Sequence, residues 1–199
     1  ITMEKAPEST RKDVSAAWKN FRNSDDNMGI TSAKTPTSEA TTYEKWFKKL
    51  GSGWGAAPSV QIIVDNSLIV MSANHIYKLD LNTGDILQTG DMVAATNFGY
   101  TPPTYADGMI FAPLADGRVQ AFNAETLESL WVYQDTLKGQ SLSPITYSDG
   151  YIYTGFWNAE TKDANYVCIP VTDEDPTNTQ EAKEAAWQYT SLGGFYWAG

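Results

Sequence analysis

An all-β fold, part of a β-propeller built of four-stranded antiparallel blades, is what the sequence predicts, and three observations carry the prediction. A turn pair recurs with a fixed period: Asp65-Asn66, Asp107-Gly108 and Asp149-Gly150 each precede a short apolar run and stand 42 residues apart. Pro102 and Pro144 repeat the same spacing. A period of about 42 residues is that of a propeller blade. Finally, a middle strand such as Met109-Ile110-Phe111-Ala112 is apolar at successive positions, as a strand covered on both faces must be.

The second repeat is the clearest. Its strands are Thr101 to Tyr105, Met109 to Leu114, Arg118 to Asn123 and Glu128 to Tyr133, joined by Asp107-Gly108, Asp116-Gly117 and a turn at Ala124 to Leu127. Asp, Asn and Gly accept the positive φ of tight hairpins. The first repeat reads as Ser59 to Val64, Leu68 to Ser72, Ile76 to Leu81 and Asp85 to Gln88. The third reads as Leu142 to Tyr147, Tyr151 to Phe156, Tyr166 to Val171 and Ala186 to Thr190, with inserts at Asn158 to Asn165 and Asp173 to Lys183. The second insert is rich in acids and helix formers, and a surface turn of helix is expected there.

Residues 1–42 read as an irregular N-terminal extension. Val14, Ala17, Trp18 and Phe21 have helical spacing behind a weak capping box of Thr10 and Asp13, which suggests a short helix. An extended segment laid along the propeller is the alternative. Residues 43–199 read as an incomplete propeller: an outer strand at 43–50 carrying Trp46, blades at about 54–92, 98–135 and 140–191, and the start of another blade at 193–199. Three blades do not close a ring. The missing blades are therefore expected C-terminal to Gly199, and the rest of the propeller or another copy of the chain is expected to cover the open faces.

Charge is unevenly spread. Residues 1–50 hold 9 Lys and Arg against 7 Asp and Glu, and the other 149 residues hold 5 against 17. So acidic a body repels phosphate backbones and anionic headgroups, which argues against nucleic acid or a membrane surface as partner. No apolar run approaches the roughly 18 residues that cross a bilayer, and no membrane insertion is expected. Cys168 is the only cysteine, so neither an intramolecular disulfide nor a cysteine zinc cluster can form. The chain opens at Ile1 without a signal-peptide pattern, and it is expected to be trimmed from a longer protein.

Two segments carry a more specific likeness. Lys78-Leu79-Asp80-Leu81-Asn82-Thr83-Gly84, and Ala121-Phe122-Asn123-Ala124-Glu125-Thr126 followed by Trp131, resemble the Ala-x-Asp-x-x-Thr-Gly-x-x-x-Trp signature of PQQ-type, quinoprotein-like propeller repeats. Leu127 replaces the glycine in the second repeat, Leu87 or Gln88 stands near the expected tryptophan of the first, and the third keeps only Trp187. The resemblance implies that the tryptophan of one blade docks on the Thr-Gly turn of the next. Thr83, Gly84, Thr126, Trp46, Trp131 and Trp187 are the residues to which that role carries over. The wording of the third repeat, Ile145-Thr146-Tyr147 then Asp149-Gly150-Tyr151-Ile152-Tyr153-Thr154-Gly155-Phe156-Trp157, is similar to propellers in large cell-surface proteins of Gram-positive gut bacteria. An extracellular or cell-surface location follows as an expectation.

The candidate sites each have a bland alternative. Trp54, Tyr100, Tyr196 and Trp197 stand at or just ahead of first strands, where rings can stack on a sugar or fill the wedge between blades. Trp157 opens a loop and is the best candidate for an exposed aromatic contact. Asp173, Asp175 and Glu181, with Glu174 and Asn178 beside them, offer oxygens to calcium, but they lack the alternation and central glycine of an EF-hand loop and equally suit a solvated surface. His75 is the single histidine and reads as a turn residue. The quinoprotein enzymes that the resemblance brings to mind use pyrroloquinoline quinone, calcium, an acidic base and a cysteine pair, none of which aligns here, so no cofactor is expected. The resulting expectation is a non-enzymatic binding or scaffolding propeller of a bacterial surface protein, with a carbohydrate or protein ligand. The alternative is a quinoprotein-like oxidoreductase or a polysaccharide-acting enzyme whose site lies in the missing blades.

Overall fold

A computed structural model describes residues 11–96 and 101–195. Its strands are β1 (Ala16–Trp18), β2 (Ile62–Val64), β3 (Ser67–Ser72), β4 (His75–Asp80), β5 (Ile86–Asp91), β6 (Thr104–Ala106), β7 (Met109–Leu114), β8 (Arg118–Asn123), β9 (Ser129–Gln134), β10 (Thr146–Ser148), β11 (Tyr151–Gly155), β12 (Asp163–Pro170), β13 (Glu181–Lys183) and β14 (Trp187–Leu192). Three antiparallel meanders form three blades of a partial propeller: β2-β3-β4-β5, β6-β7-β8-β9 and β10-β11-β12-β14.

Each blade opens with a tight hairpin, and the turn chemistry explains why. Both central residues have positive φ: 48° and 55° at Asp65-Asn66, 54° and 71° at Asp107-Gly108, 50° and 81° at Asp149-Gly150. That geometry matches the twist of the flanking strands, and only Gly, Asn and Asp adopt it at little cost.

Alternation along the strands then divides the core into two seams. Met109, Phe111, Val119, Ala121, Trp131 and Tyr133 of the second blade pack against Ile145, Ile152, Phe156, Val167 and Ile169 of the third. Their neighbours Ile110, Ala112, Leu114 and Phe122 face the other way, against Ile62, Val64, Ile69, Met71 and Ile76 of the first. Every residue of β7 is buried, as the run of apolar residues without alternation requires.

Of the two readings of the segment near Val14, the extended one forms and the helix does not: it is β1, which pairs antiparallel with β2 on the inner edge of the first blade. Val14, Ala16 and Trp18 also recur with period 2 and pack on the first seam, and the unpaired edge of β2 selects that period over the helical one. The acidic insert is not helical either. Its residues 181–183 form β13, a fifth strand parallel to β9 on the outer edge of the second blade. Residues 43–50 carry no strand pairing, although Trp46 is held in place as described below.

Candidate functional site

The recurring local geometry of this chain lies where one blade meets the turn between the third and fourth strands of the next. In the first blade Asp80 builds that turn: its Oδ1 accepts the amides of Asn82 (2.7 Å) and Thr83 (2.9 Å). The Thr83 amide, then that of Asn82, holds the Asp80 carboxyl below its ordinary pKa, because both hydrogen bonds favour the charged form. Thr83 closes the turn, its hydroxyl donating to Asp85 Oδ2 at 2.8 Å. In the second blade Asn123 and Thr126 do the same: Asn123 Oδ1 accepts the Glu125 and Thr126 amides, and the Thr126 hydroxyl donates to Glu128.

Indole rings dock beside such turns at two places. Trp46 Nε1 donates to the Leu81 carbonyl at 3.2 Å, and its ring lies over Gly84, where a Cβ would stand 2.5 Å from the ring. Lys45 adds a bond from Nζ to Asn82 Oδ1 at 2.7 Å. Trp131, fully buried, donates from Nε1 to the Val171 carbonyl at 3.1 Å. Leu81 and Val171 are equivalent, each being the residue that follows the third strand of its blade. Trp46 thus occupies, on the first blade, the place that the fourth strand of a preceding blade would supply.

The fourth strand of the first blade carries no tryptophan, and the sequence did not show what replaces it. Gln88 stands opposite Lys78 as Trp131 stands opposite Ala121. Lys78 Nζ reaches across instead, 3.4 Å from the Ala124 carbonyl and 3.5 Å from that of Glu125. The signal was a lysine between the apolar Ile76 and Leu79 of a central strand, where a cation is expensive unless partnered. Leu127, at φ 57°, fills the turn, and Gly90 makes room: a Cβ there would lie 2.6 Å from the Leu127 carbonyl.

On the third blade the equivalent face is open among the described residues. Trp187 stands opposite Cys168 as Trp131 stands opposite Ala121, and Tyr189 opposite Tyr166 as Tyr133 stands opposite Val119. Tyr133 is 4% exposed and Tyr189 64%. Trp187 stacks on Tyr166 (6.3 Å between centroids) and approaches Tyr153 (6.2 Å), and Phe195 lies 5.2 Å from Tyr166. This aromatic layer covers the Cys168 thiol, whose pKa is raised by burial. The Tyr153 hydroxyl is pushed up to about 12, by burial first and then by Cys168.

The other sequence candidates fall apart in space. Asp173 pairs with Arg11 of the N-terminal segment, both largely buried. Glu181 Oε2 accepts the amides of Glu174 (3.0 Å) and Asp175 (2.6 Å), and its Oε1 lies 3.1 Å from Lys183 Nζ. Asp175 Oδ1 accepts the hydroxyl and amide of Thr177. Trp157 is half-buried, its main chain paired with Gln140. Trp54 begins a short 3-10 turn. Tyr100, Tyr196 and Trp197 lie outside the described residues.

Among the described residues two clefts lie beside the seams. One of about 350 Å3 is lined by Asp13, Lys19, Asp25, Tyr105, Asp107 and Tyr147. Within it the Tyr105 hydroxyl donates to Asp13, and burial followed by that bond pushes the phenol up to about 12. The other, about 520 Å3, lies between the outer edges of the second and third blades, against Tyr133, Lys183 and Trp187.

Residues 38–159 match the family model of the outer membrane protein assembly factor BamB, a model of PQQ-type repeats. The chain belongs to this family of PQQ-type propellers. No curated protein matches it. Among solved structures it is similar to the quinohemoprotein alcohol dehydrogenase of Comamonas testosteroni, at 19% identity and a TM-score of 0.63, over 87% of this chain and 27% of that one. Quinohemoprotein alcohol dehydrogenase ADHIIG of Pseudomonas putida HK5 is similar at 16% identity and a TM-score of 0.61, over 87% and 26% of the two chains. At such identities the likeness shows the fold alone, and this PQQ-type chain spans about a quarter of the length of either enzyme.

The donors of this segment do not fit a quinone and calcium site. Its one cysteine is buried under rings, the carboxylates of the insert are engaged by Arg11, Lys183 and main-chain amides, and among the described residues no three His, Cys, Asp or Glu side chains gather as metal ligands.

Proposed function

We propose that this PQQ-type segment is a non-enzymatic scaffold whose business is docking, and that the open face of its third blade takes a further blade of the same kind. One observation carries the reading: Trp187 and Tyr189 repeat, register for register, the Trp131 and Tyr133 that hold the third blade on the second. The incoming blade supplies a carbonyl after its third strand for Trp187 Nε1 and a small residue in its turn, as Val171, Leu81 and Gly84 do here. In isolation the chain associates through this face, because an apolar sheet face of this kind is unstable in water.

Sedimentation tests the reading. The isolated chain is expected to associate with rising concentration, and Tyr189→Lys, at a position already exposed, is expected to weaken association while leaving the third blade folded. A monomer with a cooperative melt sinks the proposal.

An exported, bacterial cell-surface setting belongs to the same reading, supported by the wording of the third repeat and the acidic body. A complete reading frame lacking export and anchoring signals overturns it. The ligand of the assembled surface is a protein or a carbohydrate, and a glycan array with a Trp157→Ala variant separates the two.

A further inference from the structure

β5 is the outer edge of the first blade: β4 pairs with one side of it, and among the described residues no strand takes the other. The Met92 amide donates to the Asn74 carbonyl at 2.8 Å, which sets the phase of the ladder. Hydrogen-bonded and non-hydrogen-bonded pairs alternate along antiparallel strands. The pairs Tyr77 with Thr89 and His75 with Asp91 are therefore of the second kind. Thr89 and Asp91 turn their main-chain N–H and C=O groups away from β4; the Asp91 carbonyl is met there by Gln120 Nε2 of the second blade at 3.3 Å, which leaves the edge around Thr89 for a further strand.

The second blade shows what this chain does with such an edge. The Asp135 amide donates to the Gly117 carbonyl at 2.8 Å, so Val132 turns outward from β9 by the same alternation. There β13 adds in parallel, with Ala182 opposite Val132. Thr89 is the equivalent of Val132, since both strands follow the same bulge, with Gln88 in the place of Trp131. The two edges share one hydrogen-bonding phase, and only the edge of β9 has a strand on it.

The β5 edge also lacks the residues that keep edges apart. Ile86–Asp91 contains no lysine, arginine or proline, and Ile86 and Leu87 are 44% and 52% exposed. The strand is flanked by Asp85 and Asp91. The Asp91 carboxylate is 92% exposed, with His75 Nδ1 at 3.0 Å.

We propose that the outer edge of β5 is a strand-addition site for an extended protein segment. The segment pairs in parallel, sets aliphatic side chains against Ile86 and Leu87, and brings lysine or arginine to Asp85 and Asp91. Main-chain bonds supply the affinity and the flanking carboxylates the orientation. The site is independent of the open face of the third blade.

The probe is a peptide of residues 178 to 186 carrying Thr179→Val, Glu181→Val and Glu184→Lys, which in the β13 register puts valine against Ile86 and lysine against Asp91. Binding is read by amide shifts and fluorescence anisotropy on the chain in its associated form, with the third-blade face occupied. The peptide is expected to shift β5 amides, and Thr89→Pro to weaken it about tenfold, the worth of a main-chain hydrogen bond. Because the Thr89 amide points away from β4, this substitution leaves the melt unchanged. Asp91→Lys weakens binding without touching the main chain. Gln188→Pro, the equivalent position on the free edge of β14, leaves it intact. Absence of β5 shifts at millimolar peptide, full binding by Thr89→Pro, or equal loss in Gln188→Pro overturns the proposal.

Discussion

The two seams of this molecule join the same kinds of strand, yet different chemistry closes them. Between the second and third blades one indole does everything: Trp131 fills the space over the turn, meets Phe111 at 5.8 Å and donates to the Val171 carbonyl. Between the first and second blades the work is divided. Lys78 supplies the donor, Leu127 the volume, and Gly90 the room for it. At both seams a donor meets the carbonyl that leaves the third strand and bulk covers the turn, and neither role requires a tryptophan as such.

The largest expected effect tests the single-residue seam. Trp131→Ala removes a fully buried ring and leaves a carbonyl without its donor, so the loss is about 4 kcal/mol by urea unfolding. A loss below about 1.5 kcal/mol would show that the indole is not what holds the third blade.

Leu127→Gly tests the bulk in the divided seam, and two effects oppose. Glycine relieves about 1 kcal/mol of left-handed strain, whereas emptying a side chain that is 2% exposed costs about 2–3 kcal/mol. The net is a loss of about 1–2 kcal/mol, and a stabilised variant would assign the seam to the turn backbone alone.

The divided seam also holds the N-terminal segment, through Tyr105 bonded to Asp13 and Val14. Tyr105→Phe is expected to cost about 1 kcal/mol at neutral pH. Its pH dependence has a definite sign. The native phenol is raised to about 12, so the folded state holds this proton more tightly than the unfolded chain. Its stabilising share is complete below pH ~10 and is lost as pH climbs toward 12. The variant should lack this component of the alkaline loss, and identical alkaline melts would show that Tyr105 does not hold the N-terminal segment.

Lys78→Met carries the smallest expectation. It trades a buried ammonium with two long hydrogen bonds for an apolar chain of similar length, and desolvation roughly offsets the bonds lost, so the melt changes by less than about 1 kcal/mol. A loss above about 3 kcal/mol would make the ammonium the counterpart of the Trp131 indole.

The sequence alone determined what is local and periodic. The Asp-Gly and Asp-Asn pairs can make only turns of positive φ, their spacing sets the blade length, and β7, apolar on both faces, has to lie between two neighbours. Those constraints act within a few residues of one another, so composition and spacing display them. The likeness of Thr83-Gly84 and Trp131 to a known repeat was legible for the same reason.

Only the tertiary structure decided what depends on an edge or a partner distant in the chain. Val14 to Phe21 satisfies helical and extended periods alike, and the unpaired edge of β2 chose between them. The acidic insert became β13 because β9 offered open main-chain groups, which outweigh a weak helical preference in so short a segment. Lys78 reads in sequence as a misplaced charge until the Ala124 carbonyl, 46 residues on, comes within 3.4 Å of its Nζ. Asp173 and Glu181 read as one acidic cluster until Arg11 takes the first and Lys183 the second. Electrostatic and hydrogen-bond partners separated by such distances along the chain leave no periodic trace, and only packing brings them together.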